Sequence, residues 1–231
     1  MNGIVLLDKP KGWTSFDVVN KVRHMVQHSD LNRSAKKRFP VGHTGTLDPL
    51  ATGLLVLLLG DYTKRAPGLT KLDKTYDVTM CLGQTSTTGD EEGEKTVISE
   101  RQPTLDEIKK ATAIFVEHEY HQLPPAFSAI KVGGQRAYKL ARAGKEVKLE
   151  PRLASVYEIT NLHYAYPDIT FTTKVSSGTY IRSLVADIGQ ALNTGAYLTA
   201  LRRTTVGEYT LKGALDVRDL SPQDLEKAKT M

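Results

Sequence analysis

Residues 42–53 read GHTGTLDPLATG and lead directly into the apolar run LLVLLLG at residues 54–60. Glycine and proline let the backbone of such a loop take unusual angles, while the apolar run predicts a packed element that anchors the loop. The loop carries one carboxylate, Asp48, which this arrangement presents rigidly. Asp48 is therefore the candidate catalytic residue, and the alternative is an ordinary Asp-Pro turn.

Composition indicates a soluble globular protein. The chain has 231 residues, of which 40% are hydrophobic and 25% are charged. No apolar run approaches the roughly 20 residues that cross a bilayer, and the N-terminus lacks the features of a secretory signal, so we expect a cytoplasmic location. The single cysteine, Cys81, can form no internal disulfide and no zinc-binding cluster, and we expect it in the core.

Charge is distributed unevenly along the chain. The net charge is +5, and basic residues concentrate in residues 33–38, 131–148 and 202–203. Acidic residues collect elsewhere, in DEEGE and in the C-terminal SPQDLEKA. This segregation favours a surface that follows phosphates, the alternative being a merely solvated face.

The N-terminal part predicts a strand, a helix and a basic loop. Residues 3–10 form a buried strand, and residues 14–28 form a helix capped by Thr14 or Ser15. Residues 29–41 are polar and basic, which predicts an exposed, mobile loop beside the Asp48 loop. The apolar stripe of the helix is predicted to contain Phe16, Val19, Val22 and Val26.

The middle of the chain predicts a strand, a loop and a helix. Residues 74–83, KTYDVTMCLG, alternate as a strand does, and residues 84–94 follow as a loop. Residues 104–116 predict a helix with Thr104 as N-cap and Glu107 completing a capping box. One face of the strand is predicted to carry Tyr76, Val78, Met80 and Leu82.

Later segments predict a projecting unit, a hairpin and a further helix. Residues near 118–150 combine a Pro-Pro break, a short strand, a Gly-Gly turn and a basic helix, a compact unit that could project from the main body. Residues 153–164 and 169–177 predict two strands of a hairpin, and residues 180–193 predict a helix. The core face of that helix is predicted to contain Ile181, Leu184, Val185 and Ile188.

Strands and helices are interspersed without regular βαβ alternation. The order predicts an α+β fold with a mixed, mainly antiparallel central sheet flanked by helices. No repeat or flexible linker divides the chain. We therefore predict one catalytic domain over residues 1–220, including the projecting segment, and a C-terminal helical tail over residues 221–231.

Several common chemistries lack their sequence patterns. His24 and His28 have the spacing of a helical ligand pair, but the glutamate of a zinc protease is missing, and His118 and His121 have no further ligand at metal spacing. Neither a dinucleotide fingerprint, a P-loop nor a serine-nucleophile elbow is present. No metal or nucleotide cofactor is expected.

Four segments together resemble the TruB family of tRNA pseudouridine synthases. They are LLDKPKGWTS, GHTGTLDPLATGLL, KTYDVTMCLG and SSGTYIRSLVADIG, the last followed by LRRTTVG. They occur in the family's order and at matching spacings across residues 3–207. The resemblance implies the pseudouridine synthase catalytic fold. It also implies isomerisation of a uridine in the T arm of tRNA, usually at position 55, without a cofactor.

The resemblance assigns roles to three candidate catalytic residues. Asp48 matches the catalytic aspartate, which either attacks the anomeric carbon or removes the C2′ proton of the ribose. Arg182 matches the arginine that pairs with this aspartate and keeps it ionised. Tyr76 matches the tyrosine that stacks on the target base and accepts the C5 proton, although a strand tyrosine is commonly a core residue.

Four further residues are predicted to bind substrate. His43 matches the residue that contacts the disrupted T-loop bases, and Leu201 matches a leucine that lines the base pocket. Asp90 matches an acidic residue near the substrate, although Thr87 stands where the family often has another aspartate. Lys9 could instead hold the end of its strand in place. The predicted RNA-backbone contacts are Arg33, Lys36, Lys37, Arg38, Lys131, Arg136, Lys139, Arg142, Arg202 and Arg203.

The resemblance also sets expectations about partners. tRNA is the expected partner, bound through its T arm and elbow by a monomer without an obligate protein partner or a membrane. Bacterial members commonly continue into a PUA-type RNA-binding domain, which is not expected here, and the loop 29–41 could supply phosphate contacts instead. The alternatives are a tRNA-folding chaperone with little or no catalysis and a glycosidase-like hydrolase.

Overall fold

The computed structural model describes residues 1–29, 38–116 and 118–227, and it divides into two units. The first unit contains Met1–Tyr76 and Leu201–Met231, and the second contains Asp77–Ala200. In chain order the elements are β1 (Gly3–Lys9), α1 (Ser15–Gln27), β2 (Val41–His43), β3 (Thr52–Leu59), a 3-10 helix (Gly60–Arg65), α2 (Ala66–Thr70), β4 (Lys74–Leu82), β5 (Gln84–Ser86), β6 (Lys95–Val97), α3 (Leu105–Ala113), β7 (Glu119–Gln122), β8 (Lys131–Val132), β9 (Gln135–Arg136), α4 (Ala137–Arg142), β10 (Arg152–Ala165), β11 (Asp168–Val175), α5 (Ile181–Ala191), β12 (Ala196–Val206), β13 (Tyr209–Thr210), β14 (Leu215–Asp216) and α6 (Pro222–Lys227).

The first unit is organised around β3. This strand pairs antiparallel with β1 along its whole length, antiparallel with β2, and parallel with β12 through Thr52 and Gly53. Strand β14 adds to β1 in parallel. Because β3 has strands beside it and packed layers on its faces, its apolar run is buried from Gly53 to Leu59. This explains why the sequence there is apolar at every position rather than alternating.

Helix α1 covers this sheet with one face. Its N-cap Thr14 forms a capping box with Asp17, as a Thr at this position allows. Its buried residues are Ser15, Val18, Val19, Val22 and Val26. The prediction that Phe16 lies in the stripe is wrong, because Phe16 is 59% exposed. At about 100° per residue, it falls well off the centre of the buried face, and Val18 takes the core position.

The second unit contains the long predicted hairpin. Strands β10 and β11 pair antiparallel, and β7 pairs with β10 at the edge. Two glycines with positive φ, Gly133 and Gly134, connect β8 to β9 in the tight turn that the sequence predicted. The prediction of an unbroken loop over residues 84–94 is wrong at its start, because β5 pairs with β6 there.

The predicted helices of this unit are confirmed. Helix α3 begins after Thr104, whose side chain and that of Glu107 form the reciprocal capping box. Helix α5 buries Ile181, Leu184, Val185 and Ile188, the predicted core face. In β4, the predicted face of Tyr76, Val78, Met80 and Leu82 is buried, and Cys81 is buried as well.

Both units therefore combine strands of a mixed, mainly antiparallel sheet with helices, which confirms the α+β prediction. Helix α6 forms the described part of the predicted C-terminal tail, and its Leu225 is buried in the core of the first unit. The grouping of residues 1–220 in one catalytic domain stays a prediction. In the part of the chain that the structure describes, no helix is both long and apolar enough to span a bilayer.

Candidate active site

Asp48 lies in the connection between β2 and β3, where neighbouring residues fix the backbone. Leu47 and Leu50 on either side of the Asp48–Pro49 pair are buried, whereas Asp48 itself is half-buried. The Ser15 hydroxyl accepts a hydrogen bond from the Leu47 amide at 2.7 Å and donates to the Leu47 carbonyl at 3.0 Å. The Pro49 carbonyl accepts from the Gly12 amide at 2.8 Å. These contacts hold the backbone on both sides of Asp48, and the rigid presentation of its carboxylate stays a prediction.

Arg203 supports the same loop from within the first unit. Its side chain is buried, and its guanidinium donates to the carbonyls of Leu54 at 2.8 Å and Gly45 at 3.0 Å. The backbones approach closely here, because a Cβ on Gly53, whose φ is +97°, would lie 2.3 Å from the Arg203 carbonyl oxygen. Arg203 was predicted to contact the RNA backbone. Its burial replaces that prediction with a structural role, since its donors serve carbonyls of the Asp48 loop and β3.

Lys9 is a second buried cation in the first unit. Its ammonium group is fully buried and donates to the carbonyls of Pro10 at 3.0 Å and Trp13 at 2.6 Å. Burial lowers the pKa of Lys9 to about 8, attraction to Asp48 opposes this, and Arg203 adds to the lowering. Its predicted contact with substrate is not supported, because the side chain is used to hold the end of β1. The attraction is mutual, so Lys9 favours the charged form of the Asp48 carboxylate.

Lys74 is the third buried cation. It donates to the carbonyls of Thr70 and Leu72, and its Cε would lie 3.5 Å from a Cβ placed on Gly45. Burial lowers the pKa of Lys74 to about 8, and repulsion from Arg203 is a smaller cause of the same shift. The Asp48 loop thus rests on a buried cationic support, by which we mean Lys9, Lys74 and Arg203.

His43 lies at the end of β2, where the loop begins. Its Nδ1 accepts a hydrogen bond from the Gly45 amide at 3.2 Å, which leaves the proton of the neutral ring on Nε2. Burial and the nearby Arg203 lower the pKa of His43, so the ring is neutral at pH 7. The predicted RNA contact of His43 stays a prediction.

Two other predicted residues of the first unit lie on strands. Tyr76 is the third residue of β4 and is buried, with 7% of the residue exposed. Leu201 lies in β12 and is half-buried, with its carbonyl accepting from the Thr52 hydroxyl at 3.4 Å. Their predicted roles, stacking on the base and lining its pocket, stay predictions.

In the second unit, Arg182 and Asp90 are paired and buried. Arg182, in the first turn of α5, donates to the carbonyls of Thr88 at 3.0 Å and Phe127 at 2.7 Å, and lies 3.4 Å from the Asp90 carboxylate. Asp90 also accepts from the Thr88 hydroxyl and the Glu92 amide. Asp90 is only 4% exposed, so the structure gives it a role in holding Arg182. The predicted pairing of Arg182 with Asp48 stays a prediction.

The predicted RNA-backbone residues fall into distinct groups. We call residues 131–142, the β8–β9 hairpin with α4, the basic clasp. Its basic side chains, all exposed, are Lys131, Arg136, Lys139 and Arg142. Arg38 is also exposed, whereas Arg202 forms a two-pronged ion pair with Asp8. Arg33, Lys36 and Lys37 lie outside the described residues, as does most of the loop 29–41.

Sequence reasoning missed the support of the candidate site. Gln122, Thr88 and Phe127 contact Arg182 or the start of its helix, but no pattern marked them, because two of the contacts use backbone carbonyls. No sequence pattern marked Arg203, because only the fold brings it opposite Gly53 across the sheet. In the described ranges, no group of three or more acidic, His or Cys side chains could hold a metal ion.

Two consecutive family profiles match the chain. Residues 33–181 match the TruB family pseudouridylate synthase (N terminal domain), and residues 182–230 match the tRNA pseudouridylate synthase B C-terminal domain. A tRNA pseudouridine synthase B of Burkholderia mallei (strain NCTC 10247) is 45% identical over 99% of this chain and 73% of its own length. That of Thermobifida fusca (strain YX) is 43% identical over 96% of this chain and 75% of its own.

Two solved structures are similar to this chain over most of its length. A chain in the crystal structure of a Cbf5-Nop10-Gar1 complex is 28% identical with a TM-score of 0.68, covering 94% of this chain and 53% of that one. A chain of an H/ACA RNP bound to a substrate RNA containing 2'-deoxyuridine is 27% identical with a TM-score of 0.67, covering 94% and 52%. Two family profiles match this chain, and it is 45% identical to a tRNA pseudouridine synthase B over 99% of its length. The chain therefore belongs to the TruB family of pseudouridylate synthases.

Proposed function

We propose that this chain converts a uridine of tRNA to pseudouridine, with Asp48 as the group that acts on the ribose. One observation carries the proposal above all others: Asp48 is a half-buried carboxylate in a loop fixed by buried neighbours and supported by buried cations. Membership of the family and the names of the curated relatives support tRNA as the substrate. A group that must meet one sugar atom gains from such fixed placement.

The proposed reaction is an isomerisation. The bond from N1 of the base to C1′ of the ribose breaks, a bond from C5 to C1′ forms, C5 loses its proton and N1 gains one. Electrons and atoms balance without an oxidant, a reductant or an energy donor. The Asp48 carboxylate either attacks C1′ as the N1 bond breaks or removes the C2′ proton, and both routes require its ionised form.

The base must leave its stack before this chemistry can occur. We take the substrate to be the T-arm uridine at position 55, whose extrusion costs a few kcal/mol. Tyr76 would stack on the extruded base and accept the C5 proton, and Leu201 would line the pocket. The neutral ring of His43 would contact the T-loop bases that the uridine leaves behind.

Phosphate binding would fall mainly to the basic clasp. Its four exposed cations can follow an RNA backbone without reading the base sequence. Arg38 and the partly paired Arg202 would add contacts from the first unit. We propose that the chain works in the cytoplasm as a monomer, since no step above needs a residue from a second copy.

The test is product formation on an unmodified tRNA transcript. We expect the wild type to form pseudouridine at one T-arm uridine and Asp48→Asn to form none. Asp61→Asn is the matched control, because Asp61 is an exposed carboxylate paired with Lys64, and it should react at the wild-type rate. Product from Asp48→Asn at that rate would overturn the assignment. A wild type that refolds tRNA but forms no pseudouridine would support the chaperone alternative instead.

A further inference from the structure

We infer that Gln122 is a positioning residue. Its side chain fixes the first turn of α5, and with it Arg182, to residues 122–127, the segment that leads into the basic clasp. The inference rests on the proposed function, because Arg182 matters to the reaction only if the chain is the enzyme described above. It concerns contacts within the second unit alone.

The carboxamide of Gln122 pairs with the backbone of Tyr180. Gln122 ends β7 and is 2% exposed. Its Oε1 accepts from the Tyr180 amide at 2.7 Å, and its Nε2 donates to the Tyr180 carbonyl at 3.1 Å and to the Tyr120 hydroxyl at 2.5 Å. Tyr180 is the N-cap residue of α5. One side chain thus binds both polar groups of the residue that starts the helix, as a neighbouring strand would.

Two more contacts join the same segments. The Ser183 hydroxyl donates to the Leu123 carbonyl at 2.7 Å, and the Arg182 guanidinium donates to the Phe127 carbonyl at 2.7 Å. Residues 122–127 therefore follow the first turn of α5 through three successive attachments. The chain then enters the basic clasp at Lys131, four residues after Phe127. The segment that holds Arg182 is thus continuous with the surface proposed to bind phosphates.

The helix itself does not depend on Gln122. Helix α5 is held by the buried side chains of Ile181, Leu184, Val185 and Ile188, all at most 4% exposed. Burial of this apolar face supplies most of the stability of such a helix. What Gln122 adds is directional, because hydrogen bonds fix the place and angle of the first turn. Losing them should shift Arg182 while the fold persists.

The test replaces Gln122 with methionine, which has a similar volume and cannot form these hydrogen bonds. At saturating tRNA we expect the rate constant of Gln122→Met to fall about tenfold or more, because small displacements in an active site are costly. Its Kd for tRNA should stay within about twofold of the wild-type value. Amide hydrogen exchange of residues 180–184 should become faster whether or not the protein is active.

Two further variants separate positioning from general damage. Gln102→Met changes an exposed glutamine between β6 and α3, outside the basic clasp, and should alter neither the rate constant nor the exchange of residues 180–184. Ser183→Ala removes one attachment at a half-buried site and should slow the reaction about fivefold, roughly the effect of one hydrogen bond. If Gln122→Met fails to fold, Ser183→Ala decides the question by the same measurements.

Distinct results would overturn the inference and the proposed function. An inactive wild type contradicts the proposed function, while the exchange of residues 180–184 still tests the role of Gln122. Unchanged exchange in Gln122→Met, an unchanged rate constant, or a loss of tRNA affinity as large as the loss of rate would each overturn the positioning role. A slower reaction with intact affinity and faster local exchange supports it.

Discussion

The Asp48 loop and the basic clasp differ in how their side chains are held. In the loop, Leu47 and Leu50 are buried, and the guanidinium of Arg203 serves the carbonyls around it. In the basic clasp, the charged side chains are exposed, and a Cβ on Gly133 or Gly134 would meet nothing within 4 Å. Chemistry at one carbon atom needs fixed geometry, whereas contact with phosphates tolerates movement.

The difference shows that a basic residue in the sequence does not by itself indicate an RNA contact. Arg203 and Arg142 both belong to basic segments, and both were predicted to contact the RNA backbone. The structure buries Arg203 beside the Asp48 loop and exposes Arg142 on α4. We therefore expect replacement by methionine to lower the free energy of unfolding at Arg203 and to leave it almost unchanged at Arg142.

The largest effect is expected for Arg203→Met. It leaves the carbonyls of Leu54 and Gly45 without their buried donor, which costs about 2–4 kcal/mol of unfolding free energy. The reaction rate at saturating tRNA should fall with the loss of loop geometry. Arg203→Lys should not restore it, because an ammonium group cannot reproduce the spread of donors of a guanidinium. Urea unfolding and single-turnover kinetics measure both effects.

Arg142→Met is the matched control for this prediction. It should change the unfolding free energy by less than about 0.5 kcal/mol, as expected for an exposed position, and weaken tRNA binding only modestly. Equal losses of stability in the two variants would show that the contrast between buried support and exposed clasp is mistaken.

A smaller effect is expected in the pH dependence of stability. The pKa of Lys9 is about 8 in the folded chain against an ordinary value of 10.5, because the group is buried. Between these values the unfolded chain binds more protons, so this group makes unfolding free energy rise with pH by up to about 1.4 kcal/mol per pH unit. From pH 8 to 10, the wild type should gain stability relative to Lys9→Met.

Lys64→Met controls for the pH prediction. Its side chain is 80% exposed in an ion pair with Asp61, so the difference from wild type should stay constant over the same pH range. Urea titrations at several pH values provide the comparison. A constant difference for Lys9→Met as well would mean that the ammonium group is not desolvated by the fold.

The smallest effect concerns the basic clasp. Affinity for tRNA falls as the salt concentration rises. Replacing Lys131 and Lys139 by alanine should make the plot of log affinity against log salt concentration less steep, by about one for each phosphate that the variant no longer binds. The rate constant at saturating tRNA should not change. Lys109 and Lys110, exposed on α3, provide a control of equal charge whose replacement should leave the slope as it is. An equal drop in slope for both pairs would contradict a specific role for the clasp.

Local signals made much of the fold predictable. The capping boxes at Thr14 and Thr104 and the Gly-Gly turn of the basic clasp each arise from residues close in sequence. Periodicity misplaced Phe16, because this residue of the first turn of α1 lies to one side of the buried face and was still counted into the apolar stripe. The hairpin of β5 and β6 was missed because its strands are only three residues each and polar.

The sequence identified the candidate catalytic residue, Asp48, but not the buried residues that hold the site in place. Asp48 stood out because glycines, prolines and an apolar run surround it. The buried roles of Arg203 and Asp90 depend on contacts between residues far apart in sequence, such as Arg203 with Gly45 and Asp90 with Arg182. Lys9 donates to nearby carbonyls, but the fold around it determines its burial. Charge patterns assign such residues to the surface by default, so only the fold could show that they are buried.

The measurement that bears most directly on the central claim is the single-turnover rate of Asp48→Asn at saturating tRNA, with its Kd measured in parallel. The substitution preserves shape and removes the carboxylate charge, so tRNA should bind within about threefold of wild type while pseudouridine formation falls by at least about 1,000-fold. Pseudouridine formed at the wild-type rate by this variant would contradict the claim that Asp48 performs the chemistry.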